Sequence, residues 1–268
     1  MMTQTDRELA VDAAEAAGRV LRDMWRARGE LEVSTKRAGD FVSSADFASE
    51  SLIREQVLGA RPGDGWLGEE GGAREGAGGR RWIVDPLDGT TNFLRGIPHW
   101  AVSVALEVEG ELMVGVVHDP INQETFAASR GEGATLNGAP IRVSQTDNLA
   151  SALLGTGIPF GGMAHIDDHA ADIARLMPHC AGVRRMGAAA LDLAYVAAGR
   201  LDGFWERKLQ LWDIAAGLVL LREAGAKVTG WDKDEEPEDT GSVVTASPGL
   251  FPTFVHHLAG TTNTNSGA

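Results

Sequence analysis

Two aspartates, Asp85 and Asp88, follow a short apolar run, Trp82-Ile83-Val84. Pro86 lies between them and has no N–H to donate, so it stops the run from continuing as a regular strand ladder. Gly89 allows a sharp turn, and Thr90, Thr91 and Asn92 offer a helix start. The segment therefore reads as a strand end that brings two carboxylates to the N-terminus of a helix. Hard divalent cations take oxygen ligands, and Mg2+ is held by one or two carboxylates together with substrate phosphate and water. Backbone N–H groups at a helix start suit a phosphate. The same residues also fit a turn rich in capping side chains, so this segment alone leaves both readings open.

Other acids occupy similar settings. Glu69 and Glu70 follow Trp66-Leu67-Gly68 and precede a glycine-rich loop. Asp213 opens an apolar helical segment that begins at Ile214, and Asp46 falls in the first turn of another helix. Taken singly, Asp46 and Asp213 are explained by the helix macrodipole. Glu69 and Glu70 alone read as a solvated loop.

The elements that must position these acids divide into two halves, 1–145 and 146–260, followed by a small polar tail at 261–268 expected to be disordered. Thr5 and Glu8 form a capping-box pattern. Behind it Leu9, Ala13, Ala17, Val20, Leu21, Met24 and Trp25 recur at helical spacing, with Gly29 as the stop. A polar stretch at 34–40 leads to a second helix from Ser44 to about Gly59. Loops are expected at 61–65 and 71–79. Short apolar runs at 82–84, 100–108, 112–117 and 125–128 imply a mainly antiparallel sheet, and Asn137-Gly138 marks a hairpin. The second half alternates. Strands are expected near 153–154, 183–186, 203–205, 227–229 and 243–246, and helices over 166–176, 188–198, 213–224 and 250–258. Such alternation is an α/β pattern. The acidic run 232–239 reads as a solvated loop.

Bulk properties limit the function. The 268 residues are 43% hydrophobic and 23% charged, with a formal net charge of -14 and a pI near 4.9. Nucleic-acid backbones and anionic membranes call for a basic footprint, so neither is expected as the main partner. No apolar run reaches the roughly 20 residues of a membrane helix, and the first residues are too polar for a signal peptide. The single cysteine, Cys180, cannot form an internal disulfide and reads as a small buried hydrophobe. The expectation is a cytoplasmic protein. An acidic protein that binds a phosphate ester needs local neutralisation by metal ions or helix N-termini.

Four blocks, at 39–46, 68–70, 82–93 and 212–217, together resemble the inositol monophosphatase family of the lithium-sensitive, magnesium-dependent phosphatase superfamily. Order and spacing both match, and the likeness runs from about Lys36 to Ala246. The resemblance implies a layered αβαβα sandwich, an α+β arrangement of an antiparallel sheet and a second sheet separated by helices. It also implies two or three Mg2+ ions per site and a homodimer. Glu69, Asp85 and the carbonyl of Leu87 would hold one ion. Asp85 would bridge to a second, completed by Asp88 and Asp213. Glu69, with Thr90 hydrogen-bonded to Asp46, would activate and orient water. Gly89 and Thr90 would offer N–H groups to the phosphate. Lys36 would lie near the metals on a loop, ranking below the acids.

The resemblance extends to the leaving group of a small phosphate monoester. Glu206 stands where the family places an acid that contacts substrate hydroxyls, and Gly187 and Ala189 fit the block at the pocket edge. Ala188 departs from the usual serine or threonine, so one hydroxyl contact is missing. Residues 155–160 resemble a bacterial version of a loop in the family. Arg184 and Arg185 read as surface charges for at least one of the pair, and Met186, Leu191, Leu193 and Val196 as core. Glu206 could accept hydrogen bonds from a polyol or pair with the ammonium of histidinol phosphate. Thr91-Asn92-Phe93 looks more like the inositol branch, so inositol-1-phosphate or a similar polyol phosphate is the first expectation and histidinol phosphate the second. A third, of another class, is a binding or regulatory protein on a phosphatase scaffold, since some similar bacterial members are associated with transcription complexes.

Overall fold

The N-terminal helix starts as its first residues dictate. In α1 (Asp6–Arg26) the Thr5 side chain accepts the Glu8 N–H, and the Glu8 carboxylate accepts the Thr5 N–H. Leu9, Ala13, Ala17 and Leu21 are buried, whereas Val20 is exposed. The helix stops three residues before Gly29, because its last turn tightens into an Ala27 N–H bond to the Met24 carbonyl. This computed structural model describes residues 4–37, 40–158 and 165–259. The side chains of Lys36 and Asp40, together with Gly39, Pro159, Phe160 and the tail 261–268, lie outside the described residues.

The polar stretch before the second helix is a two-stranded antiparallel ribbon, β1 (Val33–Arg37) and β2 (Asp40–Ser43). It leads into α2 (Ser44–Ala60), capped by Ser43. Next come β3 (Gly65–Gly68), β4 (Gly72–Arg74), β5 (Arg80–Asp88), the short helix α3 (Thr90–Arg95), β6 (Ala101–Val108), β7 (Glu111–Asp119), β8 (Glu124–Ser129), β9 (Gly133–Leu136) and β10 (Ala139–Ile141). These strands form one sheet in the order β10-β9-β8-β7-β6-β5-β3-β4. All its pairings are antiparallel except that of β3 with β5. Asn137 and Gly138 take φ of 49° and 79° and close the β9–β10 hairpin. One of the expected loops contains β4.

The second sheet holds β11 (Leu153–Thr156), β12 (Gly182–Arg184), β13 (Gly203–Glu206), β14 (Lys227–Thr229) and β15 (Val243–Ala246), in the order β12-β11-β13-β15-β14. Its helices are α4 (Ile166–Leu176), α5 (Ala189–Ala197), α6 (Leu211–Ala224), α7 (Pro237–Thr240) and α8 (Phe251–Ala259). The acidic run is more than solvated loop: it contains α7, and Glu236 and Glu238 pair with Arg222 of α6. Cys180 is partly rather than fully buried and packs against the cluster around Leu154 and Phe254.

The layers follow from which faces are apolar. α1 and α2 cover one face of the large sheet, α5 and α6 lie between the two sheets, and α4 and α8 cover the far side. This is the αβαβα order. Strand β6 is buried on both faces: Val102, Val104 and Leu106 point to the α1–α2 side, while Ala101 and Ala105 point to α5 and α6. The residues facing α6 are small, so the helix comes close. A Cβ on Gly115 would lie 2.4 Å from the carbonyl oxygen of Ala216. This approach carries the first turn of α6, with Asp213, to the end of the sheet where Asp85 lies.

Candidate metal and phosphate site

Strand β5 does not stop at Pro86. It runs on to Asp88, but its pairing with β6 jumps from Asp85 opposite Ser103 to Asp88 opposite Ala101. Three steps on β5 match two on β6, which is a bulge. Pro86 and Leu87 occupy it, so the missing N–H costs no ladder bond. Asp85 accepts the Leu87 N–H at 3.0 Å and closes the bulge from within. Asp85 is 2% exposed. Asp88, also buried, accepts the N–H of Ala190 in the first turn of α5 at 2.8 Å. One carboxylate therefore ties to its own strand and the other to the layer between the sheets.

Gly89 then turns the chain with φ 90°, and a Cβ there would press on the His99 carbonyl and on the Cβ atoms of Ala188 and Trp100. Helix α3 begins at Thr90, with no side-chain cap. The Thr90 hydroxyl lies 3.0 Å from Asp46 Oδ1 and 3.1 Å from the Leu87 carbonyl oxygen. Asp46 is fully buried, and its other oxygen accepts from the N–H and hydroxyl of Ser43. Its capping role and its contact with Thr90 coexist. The Asn92 side chain donates to the carbonyls of His99 and Met186, each at 2.8 Å. It thereby holds α3 against the segment that carries Gly187 (φ 87°) and half-buried Ala189.

Glu69 extends from β3, and its N–H bonds to the Val84 carbonyl at 3.2 Å, beside Asp85. Asp213 is the third residue of α6 and accepts the Gln210 N–H at 2.7 Å. The electrostatics join these acids into one cluster. Burial, foremost, and then the charges of Glu69, Asp88 and Asp213 push the Asp85 carboxyl well above its ordinary range. Burial and the neighbouring Asp192 push Asp88 up to about 7. Burial also raises Asp46, with Glu69 adding a smaller push. Glu206, 5% exposed, is raised well above its ordinary value by burial, then by Asp213 and Asp192, and Arg185 opposes the shift. Both arginines are exposed, and of the two Arg185 is the one whose charge acts on Glu206. Gly157 serves the same wall, because a Cβ there would overlap the Glu206 carboxylate.

Four site residues were not singled out from the sequence. Ser49 and Glu50 of α2 contact the two acid-bearing turns. His99 Nε2 lies 3.1 Å from Asp192 Oδ1, inside the buried wall next to Asp88. Ser49 and Glu50 had one available signal: they follow Asp46 by three and four residues, on one helix face.

Among the described residues, no three His, Cys, Asp or Glu side chains converge as a formed metal centre would. The donor set nonetheless fits a hard cation. Every donor is an oxygen, Asp85 and Asp88 are buried while Glu69 and Asp213 are half-buried, and the repulsion that Asp85 feels from the other three is relieved by positive charge. The amide contacts of Asp85, Asp88 and Asp213 do not conflict with this, since a carboxylate accepts at both oxygens.

Known proteins share this chain's sequence pattern and fold. The model of the inositol monophosphatase family matches residues 2–261. An inositol-1-monophosphatase of Rhizobium meliloti is 50% identical, over 87% of this chain and 88% of its own. A protein of Pasteurella multocida named Nus factor SuhB is 43% identical, covering 93% of this chain and 94% of its own. The crystal structure of the extragenic suppressor protein suhB from Bartonella henselae superposes with a TM-score of 0.91 at 42% identity, covering 93% of this chain and 96% of that one.

Proposed function

The chain belongs to the inositol monophosphatase family, and from that premise we propose that it is a Mg2+-dependent phosphomonoesterase acting on inositol-1-phosphate or a similar polyol phosphate. The observation that carries the proposal is the buried carboxylate Asp85, faced by the charges of Glu69, Asp88 and Asp213. Such a cluster is costly in a protein interior unless a cation joins it.

Glu69, Asp85 and the Leu87 carbonyl would hold one ion, and Asp85, Asp88 and Asp213 a second. Bound Mg2+ supplies positive charge that neutralises the phosphate and makes water more acidic. The remaining work falls to the chain. Glu69 and the Thr90–Asp46 pair orient the attacking water and take up its proton; burial, which raises Asp46, makes that carboxylate a better proton acceptor. The N–H groups of Gly89 and Thr90 hold the phosphate; as water attacks, the new P–O bond forms, the P–O bond to the alcohol breaks, and the leaving oxygen takes a proton from solvent to give the free alcohol. Gly187, Ala189 and Glu206 line the leaving-group side, where Glu206 meets substrate hydroxyls.

Phosphate release from inositol-1-phosphate, histidinol phosphate, fructose bisphosphate and adenosine bisphosphate, with and without Mg2+, tests the proposal. Fastest Mg2+-dependent turnover on the inositol ester is expected; fastest turnover on histidinol phosphate would move the assignment to that substrate. The relatives named Nus factor SuhB favour one further reading, a binding or regulatory role on the same scaffold. No turnover on any ester would put that reading first.

A further inference from the structure

Helix α2 delivers three side chains to the site from one face. Asp46, Ser49 and Glu50 stand at i, i+3 and i+4. Asp46 meets Thr90, and Ser49 donates its hydroxyl to the Pro86 carbonyl at 2.7 Å, inside the bulge. Glu50 does something different. Its two carboxylate oxygens accept the consecutive N–H groups of Glu70 and Gly71, at 2.8 and 2.7 Å. Glu50 is only 5% exposed.

The turn it grips is shaped for that contact. A Cβ on Gly68 would lie 2.7 Å from one Glu50 oxygen, and a Cβ on Gly71 would lie 2.3 Å from the other. Glycine at both positions lets the carboxylate come down onto the backbone. One helical turn on, Arg54 lies over the ring of Trp66 in the strand that leads into the turn. On its other side the turn is tied to the sheet by the Glu69 N–H bond to Val84. The Glu69 peptide is therefore fixed from both directions, by β5 and by α2. Hydrogen bonds from N–H groups to an ionised carboxylate are among the stronger ones available to a backbone.

We propose that Glu50 is a positioning residue: it locks the Glu69-Glu70-Gly71 turn so that Glu69 is presented to Asp85, and cation affinity therefore depends on a carboxylate spent on the backbone. The proposal rests on the reading of the acids as a cation site. Groups that orient metal ligands typically change metal affinity by about 10–100-fold when removed.

The test uses the full chain as wild type, Glu50→Gln and Glu50→Ala. Mg2+ alone is titrated calorimetrically, amide hydrogen exchange is followed at residues 69–71 without Mg2+, and kcat is measured at saturating Mg2+. Glu50→Ala should weaken Mg2+ at least ~10-fold and speed exchange of the Glu70 and Gly71 amides. Glu50→Gln, which keeps one acceptor oxygen, should fall between. Because Glu69 is intact, kcat at saturating Mg2+ should stay within about threefold of wild type. A purely structural role would lower the melting temperature without moving Mg2+ affinity, and that result overturns the proposal. So does weakened Mg2+ binding with the two amides still protected. If Glu50→Ala fails to fold, Glu50→Gln decides by the same readouts. A wild type that binds no Mg2+ removes the cation reading and this proposal with it, whereas a wild type that binds and variants that match it remove this proposal alone.

Discussion

The Thr90 hydroxyl sits between Asp46 Oδ1 and the Leu87 carbonyl, at 3.0 and 3.1 Å. One hydroxyl proton can serve only one of these acceptors at a time. Thr90 thus links a buried acid of α2 to the bulge that carries Asp85 and Asp88. Thr90→Ala should lower kcat on inositol-1-phosphate about 100-fold, the scale of a lost proton-transfer group. Its melting temperature should stay within a few degrees, because the threonine does not cap α3. Thr90→Ser should keep most activity. Steady-state kinetics beside calorimetry checks both, and an inactive serine variant would count against the hydroxyl.

Asp85→Asn should separate stability from function. Burial and three like charges raise the Asp85 carboxyl, so its charge opposes folding. The neutral amide should raise the melting temperature of the metal-free protein at pH 8, while the stabilisation by Mg2+ and nearly all turnover disappear. A metal-free variant less stable than wild type would show that the Leu87 N–H contact outweighs the repulsion.

The pH dependence has a defined sign. Asp88 is raised from 3.8 to about 7, so between these values the folded state binds more protons than the unfolded. Asp88's contribution to the stability of the metal-free protein should therefore fall as pH rises through that window, and the raised carboxyls of Asp85 and Glu206 act in the same direction. Mg2+ needs the ionised carboxylates, so its stabilising effect should grow over the same range. Thermal melts at pH 5, 6, 7 and 8, with and without Mg2+, measure both slopes. A Mg2+ effect that shrinks as pH rises would contradict the assignment.

The proposed place of Glu206 beside the leaving group makes its charge a test of polyol against ammonium. Burial holds its carboxyl high, and Asp213 and Asp192 add to this. A hydroxyl finds a partner in either a carboxyl or an amide, whereas an ammonium needs the negative charge. Glu206→Gln should change kcat/KM for inositol-1-phosphate by about threefold or less and lower it for histidinol phosphate more than about tenfold. Equal losses on both esters would mean that Glu206 does not read the leaving group by charge.

What could be read from the sequence had local causes. The Thr5–Glu8 box, the Asn137-Gly138 turn and the helix over 166–176 each depend on residues close in the chain, and each stands as expected. The four acid-bearing blocks were legible as a family pattern through their order and spacing, and the family model matches residues 2–261. The bulge at Pro86 was not, because the strand is carried past the proline by pairing with β6. The β1–β2 ribbon was hidden by its polar residues, which give no apolar alternation. Glu50 reads in sequence as an ordinary helical glutamate; only the close pass of Gly68 and Gly71 gives it a role. His99 and Asp192, 93 positions apart, share no local pattern. The stacking of the sheets came from the family resemblance alone, since small residues such as Ala101 and Ala105 acquire meaning only when α6 lies on them.

That close packing yields the last expectation. A Cβ on Gly115 would lie 2.4 Å from the Ala216 carbonyl oxygen and 2.9 Å from Val219 Cβ. The first contact is backbone, so no rotamer change relieves it; α6 or β7 must shift. Gly115→Ala should cost about 1–3 kcal/mol, the usual scale of overpacking a core. The shift should also reach the site, because Asp213 is in the first turn of α6 while Asp85 stays on the sheet. Mg2+ affinity should therefore fall along with stability, although residue 115 lies outside the acid cluster. Urea unfolding gives the first quantity and calorimetric Mg2+ titration the second. Lost stability with unchanged Mg2+ affinity would mean that the helix pivots about its N-terminus, and that the gap between Asp85 and Asp213 is not set by the sheet contact.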